Sequence, residues 1–177
     1  ESVKQPCSLN RLSNLIKATG TPCSPSTVME YVRYLQESCL LISIDNYVSK
    51  FVEKETIKKH YFVDNGLLHL FINNPNTSLL ENLCAITLYK KYGKGLYYYN
   101  RNIEVDFYVP DEGLVVQASY QMSDGETIER EVKALVALHG LYPLKRAMII
   151  TYEDEGEIVR DGLKIEIRPA WKWVLEG

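Results

Sequence analysis

The residues of this chain best placed to do chemistry lie in and around EVDFYVPDEGLVVQASY, Glu104 to Tyr120. Asp106 is an acid between the apolar Val105 and Phe107. Gln117 and Ser119 follow on a second apolar run, and Glu81 stands upstream in SLLENLC. Carboxylates that converge from separate elements can hold a divalent ion, and phosphodiester cleavage needs such an ion plus a cation near the scissile phosphate. Mg²⁺ takes hard oxygen ligands, commonly one or two carboxylates with several waters. Glu81 and Asp106 are therefore the candidate metal ligands, and Gln117 stands where a third ligand is expected. Lys133 stands further on, two turns into the helix that follows. Each residue has a plainer reading. Glu104 and Asp106 share a strand face by alternation, so they also fit a polar sheet edge bonded to Arg101 or Gln117. Lys133 also fits an exposed helix position paired with Glu129, four residues before it.

The elements that must position these groups can be read from periodicity. Ser78 to Tyr92 predicts an amphipathic helix with a packed face of Leu79, Leu83, Ile86 and Tyr89–Lys90. GLYYYN, IEVDFYV and GLVVQAS predict three strands rich in aromatic and β-branched residues. Gly125 to Gly140 predicts a second helix with Ile128, Val132, Leu135, Val136 and Leu138 apolar. KRAMIITY predicts a strand buried on both faces. GLKIEIRPAWKWVLEG adds a last strand and a short aromatic end, where Trp171 and Trp173 cap the core. The order is α-β-β-β-α-β plus a terminal strand, an α/β (α+β) arrangement with a mixed sheet.

The chain divides near residues 73–78, where NNPNTS combines turn formers with a helix-starting signal. This predicts two domains, 1–74 and 75–177. In the first, Leu9, Leu12, Leu15 and Ile16 share a helical face that Gly20 ends. Ser24 and Pro25 start a second helix with Val28, Tyr31, Val32, Leu35 and Cys39 as its apolar stripe. With LLISI as a first wing strand, and YFVDNGLLHLF as an extended piece and a short helix, this reads as a winged helix-turn-helix. The basic residues that would face nucleic acid are Arg33 on the second helix and Lys50, Lys54, Lys58 and Lys59 in a lysine-rich hairpin. Glu30, Glu37, Glu53 and Glu55 dilute them, and phosphate contacts supply most of such affinity. The alternative is a winged helix used for packing or protein interaction.

The 177 residues carry a formal charge of −3, so any contact with nucleic acid must come from a local patch. No apolar run approaches the roughly 18 residues needed to span a membrane. Cys7, Cys23, Cys39 and Cys84 are far apart with no CxxC pair, which predicts free thiols in a reducing cytoplasm. No GxxxxGK[ST] is present. The chain opens on Glu1 inside a polar segment, and it reads as a piece of a longer protein.

The element order, with Glu81, Asp106 and Gln117-Ala118-Ser119, resembles the PD-(D/E)xK nuclease superfamily and its restriction-endonuclease-like fold. More closely, nearly the whole chain resembles the C-terminal region of bacterial and archaeal AAA-type P-loop ATPases that carry a DUF4143 domain. The matching stretches are ENL (81–83), EVDFYV (104–109), VQASY (116–120), ETIEREVKAL (126–135), ITYEDEG (150–156) and IRPAWKWVL (167–175). The resemblance implies a winged helix joined to a nuclease-like module, with the ATPase upstream and ATP bound only there. It implies metal-facing roles for Glu81 and Asp106. It puts Gln117 at the place of the metal-binding Glu and Ser119 at that of the catalytic Lys, with Lys133 as a lysine supplied from the helix instead. No cofactor is then expected in this segment unless the site cuts, which would require Mg²⁺. The expected partners are DNA, the upstream ATPase domain, another protein or a second copy.

Overall fold

The computed structural model describes residues 5–73 and 75–176. Asn74 in the predicted break, and the chain-end residues of the two predicted segments, lie outside the described residues.

One nine-stranded mixed sheet runs through the chain in the order β1-β3-β2-β4-β5-β6-β7-β9-β8. Its N-terminal portion is β1 (Cys7–Ser8), β2 (Leu41–Asn46) and β3 (Ile57–Phe62), all antiparallel. Parallel pairing of β2 with β4 (Tyr97–Asn100) carries the sheet across the 74/75 position. β5 (Glu104–Val109) and β6 (Leu114–Ala118) form an antiparallel hairpin. β6, β7 (Arg146–Thr151) and β9 (Leu163–Pro169) are parallel, and β8 (Gly156–Arg160) closes the edge antiparallel.

The sheet has a helical layer on each face. α5 (Asn76–Tyr92) and α7 (Ala170–Glu176) cover a core of Leu80, Cys84, Leu88, Tyr98, Phe107, Val116 and Trp173. α6 (Gly125–His139) covers the other, with Val132, Leu135, Leu138, Val115, Ile149 and Ile165. β7 is buried at every position after Arg146, as a strand covered on both faces must be. Gly113 closes the β5–β6 turn at φ +59°, where a Cβ would stand 3.1 Å from the Lys145 backbone nitrogen. That conformation and that space both call for glycine.

α1 (Leu9–Ala18) and α2 (Pro25–Glu37) stand against the β2–β3 end. Ser24 caps α2, its Oγ accepting from the Thr27 N–H at 3.1 Å. The expected stripe of α2 is only partly buried. Val28 is buried and Val32 half-buried, whereas Tyr31, Leu35 and Cys39 are exposed, as is Leu15 on α1. Among the described residues α1 and α2 pack on each other and on β1 and β2, and part of each apolar face looks outward. The lysine-rich hairpin contains a helical turn, α3 (Phe51–Thr56), before β3, and α4 (Asn65–His69) follows.

α5 also differs from its expected face. Leu79, Leu83, Ile86 and Tyr89 are half-buried, and the deepest positions are Leu80, Glu81, Asn82, Cys84, Ala85 and Leu88. The helix rolls this way because Glu81 and Asn82 find hydrogen-bond partners on β3, so their polarity does not send them to solvent. Trp173 sits in the core and Trp171 is exposed. β8 was not expected. It forms a hairpin with β9 through Asp161-Gly162, both at positive φ, the Asp-Gly pairing that a two-residue hairpin turn favours.

Candidate functional site

β5 and β6, neighbours in the middle of the sheet, bring Asp106 and Gln117 side by side, with α5 and α6 supplying Glu81 and Glu131 from opposite faces. Asp106 is held from three directions. Its Oδ2 accepts from the Ala118 N–H at 3.1 Å, its own N–H donates to Gln117 Oε1 at 2.6 Å, and its Oδ1 accepts from Lys59 Nζ at 3.1 Å. Gln117 is therefore not aimed at open space. Its Nε2 donates to Glu131 Oε2 at 2.7 Å, and Arg130 holds the other oxygen of Glu131 through Nε and Nη2. Ser119 is buried and donates to the Gln121 carbonyl at 3.2 Å.

Lys59 is the residue that sequence reasoning misplaced. It was expected on a surface facing phosphates, but it is 1% exposed. Its Nζ lies 3.1 Å from Asp106 Oδ1, 3.3 Å from Glu104 Oε1 and 3.6 Å from Glu81 Oε1. The Tyr98 ring centroid is 5.6 Å away. Burial pulls the ammonium pKa down, but the carboxylates of Asp106, Glu81 and Glu104 outweigh it and hold the pKa above the ordinary lysine range. Tyr61, two residues on and so on the same strand face, donates to Glu81 Oε1 at 2.9 Å. Its phenol is pushed well above its ordinary value by burial and by the Glu81 charge.

Lys59, Glu81, Asp106, Gln117 and Glu131 line a cleft of about 600 Å³, open to solvent beside Thr77, Glu104, Arg130 and Lys133. Lys133 is exposed at its rim, as an ordinary helix position would be. A larger cleft of about 680 Å³ between α5 and α7 is apolar, lined by Leu79, Leu83, Tyr120, Tyr152 and Trp171. It contains neither Asp106 nor Gln117, so chemistry belongs to the smaller one.

Whether a divalent ion suits this centre can be judged from its donors. Among the described residues, no group of three or more His, Cys, Asp or Glu side chains stands in metal-ligating geometry. Both oxygens of Asp106 are engaged, Glu81 Oε1 takes Tyr61 and Lys59, and the Gln117 amide is spent between Asp106 and Glu131. A cation already stands among the carboxylates. With Lys59 in place, the residues do not fit a metal.

The other basic candidates are mostly occupied. Lys58 pairs with Asp45 at 2.7 Å, Arg33 with Glu37 at 3.7 Å, and Lys54 lies over the Tyr97 ring. Lys50 is exposed. One missed site residue, Glu131, carried a signal that was legible: it falls at i+3 from Ile128 and i−4 from Leu135, on the buried face of α6. All four cysteines are free thiols. No described helix is long and apolar enough to cross a membrane.

Comparison with known proteins returns little. No protein-family model and no solved structure matches the chain. It is 31% identical over 183 residues to the uncharacterized protein MJ1544 of Methanocaldococcus jannaschii, an alignment covering 95% of this chain. The chain spans 40% of that relative's length.

Proposed function

We propose that this chain is a non-cleaving recognition region of a longer protein, in which a winged helix-turn-helix precedes a degenerate nuclease-like domain downstream of a P-loop ATPase. One observation carries the non-cleaving part. The side chains at the two places where the resemblance calls for a charged pair are neutral and turned inward, Gln117 to Asp106 and Glu131, Ser119 to Gln121. Neither can present a cation to a scissile phosphate, which is where such catalysis gains most.

The target this geometry favours is a protein. The outward face of α2 carries Met29, Tyr31, Tyr34 and Leu35, each at least a third exposed, and its single arginine is paired with Glu37. Apolar and aromatic side chains of that kind suit a protein partner. Duplex DNA would instead require uncommitted phosphate contacts, and Lys50 and Lys54 supply few.

The test is incubation with Mg²⁺ or Mn²⁺ and plasmid or single-stranded DNA, with Asp106→Ala alongside. The expected result is no Asp106-dependent cleavage, and weak low-salt DNA retention that Lys50→Glu with Lys54→Glu changes little. Cleavage lost in Asp106→Ala would instead make the chain a Mg²⁺-dependent nuclease. Tight retention abolished by the two lysine changes would make DNA the target.

A further inference from the structure

The acidic centre contains a cation of its own, and this has a consequence for metal binding. Lys59 reaches it from β3, an element outside the α-β-β-β-α-β unit that carries Glu81, Glu104 and Asp106. Its Nζ contacts one oxygen of each of these three carboxylates. The lysine stem is buried as well as its head. Tyr98 covers the ammonium on one side, and Tyr61 fixes Glu81 on the other.

We propose that Lys59 is the resident counter-cation of this centre and stands in for the divalent ion that the nuclease resemblance implies, so that the native site neither needs nor takes a metal. Two cations cannot share one point among three carboxylates. An ion entering would have to displace an ammonium whose stem is packed in the interior. Conversely, three carboxylates left around a vacated ammonium position form a hard-oxygen set. A hydrated Mn²⁺ or Mg²⁺ can use such a set through one or two direct ligands and its own waters. Lys59 therefore excludes metal, and its removal creates the metal site.

The proposal does not depend on what the cleft recognises, because its test reads metal occupancy and not cleavage or partner binding. Mn²⁺ binding is measured by electron paramagnetic resonance and calorimetry on the wild type, Lys59→Ala, Lys59→Arg and Lys59→Ala with Asp106→Ala. Wild type and Lys59→Arg are expected to show no Asp106-dependent site. Lys59→Ala is expected to bind Mn²⁺ about tenfold or more tighter, since affinity for such ions follows the number of charged ligands. Adding Asp106→Ala should abolish the gain. If Lys59→Ala does not fold in metal-free buffer, refolding with and without Mn²⁺ replaces the titration, and recovery of the far-ultraviolet circular dichroism signal with Mn²⁺ supports the proposal. Wild type binding Mn²⁺ as tightly as Lys59→Ala would overturn it. So would a folded Lys59→Ala with no gain, or an unfolded one that Mn²⁺ does not rescue.

Discussion

Asn82→Leu should lower the stability of this protein by about 2–4 kcal/mol, because it orphans polar groups that the native side chain satisfies. Asn82 is fully buried on α5, yet none of its side-chain hydrogen-bonding groups is idle. Its Oδ1 accepts from the Phe62 N–H at 2.8 Å, and its Nδ2 donates to the Phe62 carbonyl at 2.9 Å and to Asn65 Oδ1 at 2.8 Å. The amide thus pairs with β3 as another strand would, on a strand that two-residue β1 covers only at Ile57 and Lys58. Leucine has a similar branched shape but is larger, and it returns none of the three bonds. For a chain of this size the loss corresponds to a fall in Tm of roughly 5–15 °C. The measurement is thermal or urea unfolding at neutral pH, together with hydrogen exchange at the Phe62 amide. A change under about 1 kcal/mol with native exchange at Phe62 would show that the clamp is not needed. The site would respond too, since β3 also carries Lys59 and Tyr61, and a loosened β3 loosens the counter-cation.

The contrast between Asn82 and the α5 pattern shows where sequence was informative. Helix α6 was legible from its 3.6-residue stripe, and strands β4 to β7 from apolar runs rich in aromatic and β-branched residues that lie largely buried. The positions of Asp106 and Gln117 on adjacent strands were legible for the same reason. What those side chains do there was not. Gln117 was expected to face a metal and instead ties Asp106 to Glu131, a contact 14 residues apart in the chain that local periodicity does not encode. Lys59 was harder still. In KKHYF it sits next to Lys58, and composition makes both surface charges. Only Lys58 is on the surface side, bonded to Asp45. The difference is one residue of strand register, which sends neighbouring side chains to opposite faces. The partners that make burial of Lys59 tolerable lie 22 to 47 residues away, on α5 and β5. Charge alone marked the wrong lysine as solvent-facing because its counter-charges are brought to it by the fold.

His60 is expected to make the protein acid-sensitive in a defined window. It follows Lys59 on β3 and points to the opposite face, toward a small cavity beneath α2 bordered by Glu30, Arg33, Glu55 and Lys58. Its Nδ1 is 2.7 Å from Ser43 Oγ on the paired strand. Burial, reinforced by the Lys58 charge, pushes its pKa down from 6.5 to about 4. In the unfolded chain the imidazole titrates near 6.5, so between about pH 6.5 and 4 the unfolded state binds more protons than the folded one. Stability contributed by the neutral folded histidine is therefore complete above pH 6.5 and falls as the pH drops through this window. The accumulated loss is about 3 kcal/mol by pH 4, at 1.36 kcal/mol per pKa unit. His60→Gln can still hydrogen-bond Ser43 and does not titrate, so it should remove this component while leaving the carboxylate-driven part of acid unfolding in place. Urea midpoints at pH 7, 5.5 and 4 give the comparison. The gap between wild type and His60→Gln is expected to shift toward the variant as pH falls, with most of the change between pH 6.5 and 4. Parallel pH profiles for the two proteins would mean that the histidine gains its proton as readily folded as unfolded, and that the cavity beneath α2 admits water and charge.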